Sequence, residues 1–189
     1  EIPSDIISGR SFISKGMLVE AKALANSNVE KLQALISTDQ PLIGIEPSAL
    51  LTFRDEIPAL VDADKRAHAE ALKPNCLLID EFIAREFKAG KISVNDFHGK
   101  QQKILLHGHC HQKALSSLSW TQKILQIPIN YVVETIPSGC CGMAGSFGYE
   151  AEHFAVSQQI GELVLFPAIR KAEVDTLIAA PGTSCRHQI

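Results

Sequence analysis

The cysteines of this 189-residue chain are the side chains best suited to chemistry, because thiolates bind metals and exchange with disulfides. Four of the five lie in segments rich in glycine, histidine and serine, each following a predicted strand. In a parallel sheet the loops beyond the carboxyl ends of the strands converge on one crevice, so we expect these four sulfurs to meet there. The fifth, Cys76, follows Asn75 and precedes two leucines, and we expect it to be a small buried hydrophobic residue. The four candidate ligands are Cys110, Cys140, Cys141 and Cys185.

The spacing of these cysteines favours an iron–sulfur cluster. Two adjacent cysteines are awkward ligands for a single zinc ion, which favours spacings such as Cys-x2-Cys, whereas a cluster offers several metal atoms. Cys110 comes directly before a predicted helix, and we expect the helix N-terminus to lower its thiol pKa towards the thiolate that a metal requires. Three glycines let the backbone approach the sulfurs closely, so that amide N–H groups can reach them. These are Gly139, Gly142 and Gly145.

Histidines beside the cysteines leave two alternatives open. His109 and His187 are reserve ligands, since three thiolates and one imidazole would complete a tetrahedral zinc site. A zinc-binding or metal-free docking module is therefore the second interpretation. Thiol–disulfide chemistry, with Cys110 or Cys185 as the reactive thiol, is the third. His107 stands where a strand enters a loop, and such a histidine is more often hydrogen-bonded structure than a metal ligand.

The hydrophobic periodicity predicts helices alternating with short apolar strands. Strands separated by helices favour parallel pairing with right-handed crossovers, so we expect a layered α/β fold with short parallel sheets. The predicted strands cover residues 42–45, 104–107, 129–133 and 177–180. Helices are predicted over residues 17–37 and from 55 to about 91, directly after Cys110 through Leu125, and after Gly148 through Val164.

A weak internal repeat suggests two related halves. The strand at 42–45 and its following turn parallel the strand at 177–180, and Ser8 and Ala49 stand where the other half has Cys141 and Cys185. The first half is therefore expected to have lost its thiols. We predict a degenerate first repeat at 1–56 whose start is truncated, a helical insert and connector at 57–100, and a second repeat with the intact cysteine motif at 101–189.

The composition narrows the class of protein. Hydrophobic residues make up 46% of the chain and charged residues 21%, which excludes a disordered chain. The net charge is −3 and no run of lysine or arginine occurs, so a nucleic acid is not an expected partner. The longest apolar run, Leu163 to Ile169, is shorter than the roughly 18 residues that a transmembrane helix needs. Few, unevenly placed cysteines indicate a reducing compartment, so we expect a cytoplasmic protein.

Three segments of the second half resemble the cysteine-rich CCG domain. They are His109 to Ala114, Pro137 to Gly148 and Gly182 to Arg186. This domain occurs in heterodisulfide reductases, in the iron–sulfur subunits of glycolate oxidases and at the C-terminus of large FAD-linked dehydrogenases, which the chain resembles most. The segments Ser8 to Gly16 and Gly44 to Glu56 are similar to the first CCG repeat of those dehydrogenases.

The resemblance implies a part of an FAD-dependent oxidoreductase of the D-lactate, D-2-hydroxyglutarate or glycolate type. Flavin and ferredoxin-like domains would lie upstream, outside this chain, which lacks an initiating Met. The CCG region would hold an iron–sulfur cluster, expected to be [4Fe-4S], and relay electrons to an unidentified acceptor without turning over substrate itself. Peripheral association with the inner face of a membrane stays open. One departure is that Cys185 is followed by no second cysteine where the family pattern has Cys-x-x-Cys, which leaves four thiolates for a cubane cluster.

Overall fold

The computed structural model describes residues 6–189, which form two compact units, one ending at Ile79 and one spanning Asp80–Ile189. The first unit contains α1 (Arg10–Ser14), α2 (Leu18–Leu32), β1 (Leu42–Gly44), α3 (Pro47–Thr52), α4 (Glu56–Leu60), α5 (Arg66–Leu72) and β2 (Cys76–Leu78). Helix α6 (Ile79–Lys88) begins at the boundary, and the second unit continues with β3 (Gln102–Leu106), α7 (Cys110–Leu115), α8 (Leu118–Leu125), β4 (Tyr131–Thr135), α9 (Phe154–Leu163), α10 (Leu165–Arg170), β5 (Leu177–Ala179) and α11 (Thr183–Gln188).

The first unit is built around a two-stranded parallel sheet. Strand β1 pairs with β2, and Leu42 lies opposite Cys76. The long helix α2 contacts α1, α4 and α5 and buries one face. Cys76 is fully buried, as expected for a small hydrophobic residue. The predicted continuous helix over 55–91 is wrong, because Pro74 lies in a short 3-10 turn that ends α5 and lets the chain enter β2.

The second unit is a three-layer arrangement around a parallel sheet of order β4-β3-β5. Alternate residues of β3 point to opposite faces. Ile104 and Leu106 pack with Leu125 of α8, whereas Leu105 packs on a cluster that contains Leu165 of α10. The layered α/β fold with short parallel sheets is therefore confirmed.

One predicted helix of the second unit is interrupted. The segment 110–125 forms two helices, because Ser117 adopts an extended backbone and caps α8 through its hydroxyl, which accepts from the N–H of Ser119. The break leaves α7 short, with Cys110 as its first residue.

The boundary between the two units falls inside the segment 57–100 that we expect to be an insert. Helices α4 and α5 and strand β2 lie in the first unit, and nearly all of α6 lies in the second. The division of the chain into repeats at 1–56 and 101–189 stays a prediction.

Candidate metal centre

Three loops at the carboxyl edge of the second unit's sheet carry the four predicted cysteines. Beyond β3, the N–H of His107 donates to the carbonyl of Ala179 in β5 at 2.8 Å, and beyond β4 the N–H of Ile136 donates to the carbonyl of Leu106 at 2.9 Å. These bonds extend the ladders past the strand ends and hold the three loops side by side. Cys110 then opens α7, and Cys185 lies in the first turn of α11.

The four thiols form a continuous series that we call the thiol row. The Cys140 side chain is hydrogen-bonded to those of Cys110 and Cys141, and the Cys141 side chain is also hydrogen-bonded to that of Cys185. Cys110 is exposed and Cys140 half-buried, whereas Cys141 and Cys185 are only 3% and 2% exposed. The thiol row therefore runs from the surface into the core, and it brings together the cysteines that the sequence places up to 75 positions apart.

The pKa values of the four thiols are shifted in opposite directions along the thiol row. The pKa of Cys140 is held far below its ordinary value because Cys110 and Cys141 donate hydrogen bonds to its sulfur. The pKa values of Cys110 and Cys141 are raised for the same reason, since each thiol keeps its proton for an anionic neighbour. The pKa of Cys185 is lowered to about 5, chiefly because Cys141 donates to it. The expected lowering at Cys110 is therefore wrong, because the adjacent Cys140 outweighs the N-terminus of α7.

A histidine joins the buried end of the thiol row. The ligand atoms of His107, Cys141 and Cys185 all lie within 4.8 Å of one another. The His107 ring is 1% exposed, and its Nδ1 lies 2.7 Å from Oγ of Ser138. Its Nε2 is buried, with no hydrogen-bond partner among residues 6–189. Thiolate and imidazole donors of this kind suit zinc and iron–sulfur groups.

The three glycines predicted to lie near the sulfurs differ in conformation and contacts. Gly142 has φ +104° and donates its N–H to the Cys140 sulfur at 3.3 Å, and a Cβ there would lie 2.2 Å from the Ser157 carbonyl oxygen. The carbonyl of Gly139 instead accepts from Lys113 Nζ at 2.5 Å. Gly145 has φ +69° with open space around its Cα. Of the three, Gly142 has the close approach to sulfur that the sequence suggests.

Gln188, at the end of α11, connects the loop to two helices. Its Nε2 donates to the carbonyl of Cys141 at 2.9 Å and to the carbonyl and hydroxyl of Ser157 in α9 at 3.1 and 3.0 Å. Sequence reasoning missed this residue. The one available signal is its position one helical turn after Cys185.

A buried network of polar side chains connects helix α7 to its neighbouring helices. Asp80 is 4% exposed and accepts hydrogen bonds from Gln112 Nε2 at 2.6 Å and from the Thr121 hydroxyl. Gln112 also donates to Thr121 at 2.8 Å. The network connects α6, α7 and α8 and so fixes the helix that presents Cys110. Gln112 lies within the first of the three CCG-like segments, but no local pattern points to Asp80.

The two reserve ligands make other contacts. Nδ1 of His109 accepts from the N–H of His111 at 3.2 Å and so caps α7, and its ring lies against Gly182. Nδ1 of His187 is hydrogen-bonded to the Tyr149 hydroxyl. Neither belongs to the group of ligand atoms within 4.8 Å, in which His107 stands instead.

The chain is similar to parts of several known oxidoreductases. It is 25% identical over 182 residues to one subunit of the anaerobic glycerol-3-phosphate dehydrogenase of Escherichia coli, an alignment that covers 96% of this chain and 44% of that protein. It is 25% identical over 182 residues to D-2-hydroxyglutarate dehydrogenase of E. coli and 28% identical over 187 residues to that of Pseudomonas putida. These alignments cover 96% of this chain but 17% and 16% of the two dehydrogenases.

This chain is homologous to part of such dehydrogenases. The sequence-based resemblance to FAD-linked dehydrogenases is confirmed, and the glycerol-3-phosphate dehydrogenase protein is a relative that the motifs alone did not suggest. The chain spans less than half the length of these curated relatives. No family model matches the chain, and no solved structure matches it. Within residues 6–189, none of the helices is both long enough and apolar enough to span a membrane.

Proposed function

We propose that this chain is an electron-transfer domain whose four-cysteine row holds an iron–sulfur cluster. The observation that carries the proposal is the convergence of four thiols from three loops at one sheet edge. Four cysteine thiolates are the usual ligand set of a [4Fe-4S] cluster. When bound, such a cluster supplies reversible one-electron transfer. The ligands are Cys110, Cys140, Cys141 and Cys185.

The surrounding residues suit that role. The Gly142 N–H points at the Cys140 sulfur, and hydrogen bonds to cluster sulfurs adjust reduction potentials. Burial of Cys141 and Cys185 keeps water from the inner end of the row, and the exposed Cys110 keeps its outer end within reach of a partner. Lys113 fastens the loop before Cys140, since its Nζ donates to the Ser138 and Gly139 carbonyls at 2.8 and 2.5 Å.

The homology supports a place within a larger flavoenzyme. Because relatives are named D-2-hydroxyglutarate dehydrogenase, we propose that the parent enzyme oxidises a D-2-hydroxy acid of this kind with FAD bound by another domain. Flavin and ferredoxin-like domains of the same protein would deliver electrons, and this chain would pass them to a further acceptor. On this proposal the enzyme is cytoplasmic, and the isolated chain oxidises no substrate.

A zinc-binding structural module is the second candidate. The observation that favours it is the close group of His107, Cys141 and Cys185, which supplies three of the four ligands of a tetrahedral zinc site. Such a module would stabilise the domain or dock it without carrying electrons.

Metal and sulfide analysis separates the two candidates. Protein purified without oxygen is expected to contain about four iron atoms and about four acid-labile sulfides per chain. Cys141→Ala should lose both, whereas the matched variant Cys76→Ala, which removes a buried cysteine outside the row, should retain them. Stoichiometric zinc without sulfide in the wild-type protein would refute the electron-transfer proposal and support the structural one.

A further inference from the structure

We infer that His107 is a nitrogen ligand of the same centre, bound through Nε2, and that Ser138 positions its ring. This inference rests on the proposed function only in that Cys141 and Cys185 bind metal. They would do so either around a single ion together with His107, or in a [4Fe-4S] cluster in which His107 takes the place of one of the other two cysteines, because each of the four irons takes one protein ligand. It assigns a role to the one buried polar atom at the inner end of the thiol row that is unpaired within residues 6–189.

Ser138 suits a His107 ring that is bound to metal. A ring bound through Nε2 carries its proton on Nδ1, which lies 2.7 Å from Oγ of Ser138. Oγ can accept from that N–H, because its own proton can be directed at the carbonyl of Ile136, 3.5 Å away. A metal-bound histidine characteristically donates its other N–H to an oxygen in this way.

Nε2 of His107 is close to two sulfurs. Burying a ring nitrogen without a well-formed hydrogen bond is unfavourable, and a metal held by Cys141 and Cys185 would provide the partner. The three ligand atoms lie within 4.8 Å of one another. Ordinary zinc–nitrogen and zinc–sulfur bond lengths in a tetrahedral site place such atoms roughly 3.6 to 3.8 Å apart. Only a small adjustment of the side chains would therefore bring them around one metal atom.

Backbone hydrogen bonds hold His107 and Ser138 in place. The N–H of His107 donates to the carbonyl of Ala179 at 2.8 Å, and the carbonyl of Ser138 accepts from Lys113 Nζ at 2.8 Å. The ring and its hydroxyl partner are thus held in place before any metal binds. His109, two residues away, differs because its Nδ1 accepts from a backbone N–H, so it serves as the matched control.

Cobalt(II) added to the metal-free protein provides the first test. The inference predicts one solvent-exchangeable, paramagnetically shifted proton resonance, arising from Nδ1–H of a cobalt-bound His107. It should disappear in His107→Ala and persist in His109→Ala. In Ser138→Ala the resonance should remain, but its proton should exchange faster with solvent. Cobalt binding by this variant should be weaker by about 10- to 100-fold. Absence of the resonance in wild type, or its persistence in His107→Ala, would overturn the inference.

Isotope labelling of the wild-type protein gives a second test that needs no variant. After anaerobic reconstitution with iron and sulfide, a reduced cluster bound by His107 should show a nitrogen hyperfine coupling that changes when histidine is labelled with nitrogen-15. Iron and sulfide without this coupling would refute the role of His107 and leave the cluster intact. Cobalt binding through His107 in protein that takes up no sulfide would refute the cluster and support the histidine ligand.

Discussion

Alanine substitutions at three glycines of the 139–148 loop should change the free energy of unfolding by three different amounts. At Gly139 no atom lies within 4 Å of a new Cβ, and at Gly145 the space is also open, but φ is +69°. At Gly142 φ is +104° and the new Cβ would lie 2.2 Å from the backbone oxygen of Ser157 and 2.9 Å from Gln188 Nε2. The series therefore separates the effect of a left-handed backbone from the effect of a collision.

The magnitudes follow from these differences. Gly139→Ala should change the free energy of unfolding by less than about 1 kcal/mol, and removal of unfolded-state freedom could even raise it. Gly145→Ala should lose about 1 to 2 kcal/mol, the cost of a left-handed conformation in a residue with a side chain. Gly142→Ala adds a collision with backbone that cannot rotate away, which costs about 1 to 3 kcal/mol more. Its total loss should therefore be about 2 to 5 kcal/mol.

Urea unfolding of the metal-free protein, followed by far-ultraviolet circular dichroism, measures these changes. Because the chain has two units, the transition assigned to the second unit is the one to compare. The order expected is Gly139→Ala, then Gly145→Ala, then Gly142→Ala, from least to most destabilised. Equal stabilities for Gly142→Ala and Gly145→Ala would refute the claim that the loop packs tightly on α9.

Two further predictions concern buried polar groups. Burial raises the pKa of Cys76 to about 12 from an ordinary 9.0, so the thiol ionises first in the unfolded state. Stability should be unaffected by this group below pH 9 and fall by about 1.4 kcal/mol per pH unit as pH rises towards 12. Comparing the pH dependence of urea midpoints in wild type and Cys76→Ala isolates this slope, and identical slopes would contradict it. Asp80→Ala removes the acceptor of Gln112 and Thr121 and should cost about 2 to 4 kcal/mol in thermal or urea unfolding. The control Glu162→Ala removes an exposed ion pair and should cost at most about 1 kcal/mol; equal losses in both variants would show that the Asp80 network is not buried in solution.

Short-range patterns predict the strands of the second unit well. The apolar run at 104–107 corresponds to β3 over 102–106, and the run at 177–180 corresponds to β5 over 177–179. The interruption at Ser117 and the strand at Cys76–Leu78 are harder to predict from the sequence. Each depends on a helix cap or a proline turn that competes with helical periodicity. Local competition of this kind shifts element boundaries without changing the class of fold.

The topology rule for parallel sheets predicts the convergence of the cysteines, but not the residues that hold them. Asp80 contacts a glutamine 32 positions away, and Gln188 contacts a carbonyl 47 positions away. The orientation of His107 depends on Ser138, 31 positions along the chain. Such partners follow from how distant loops pack, and local spacing in a single sequence does not identify the atoms that they contact.

The difference in exposure along the thiol row also determines the order in which the cysteines would be oxidised. Peroxide arriving from solvent reaches the exposed Cys110 and the half-buried Cys140, whereas the core around Leu165 shields Cys141 and Cys185. Of the two accessible cysteines, Cys140 has the lowered pKa and therefore the greater thiolate character, which is the form that reacts with peroxide. Sulfenic acid formed at Cys140 would condense with the Cys110 thiol, releasing water and giving a disulfide that cellular thiols can reduce. Early oxidation would therefore stop at a reducible disulfide between Cys110 and Cys140, while Cys141 and Cys185 stay reduced.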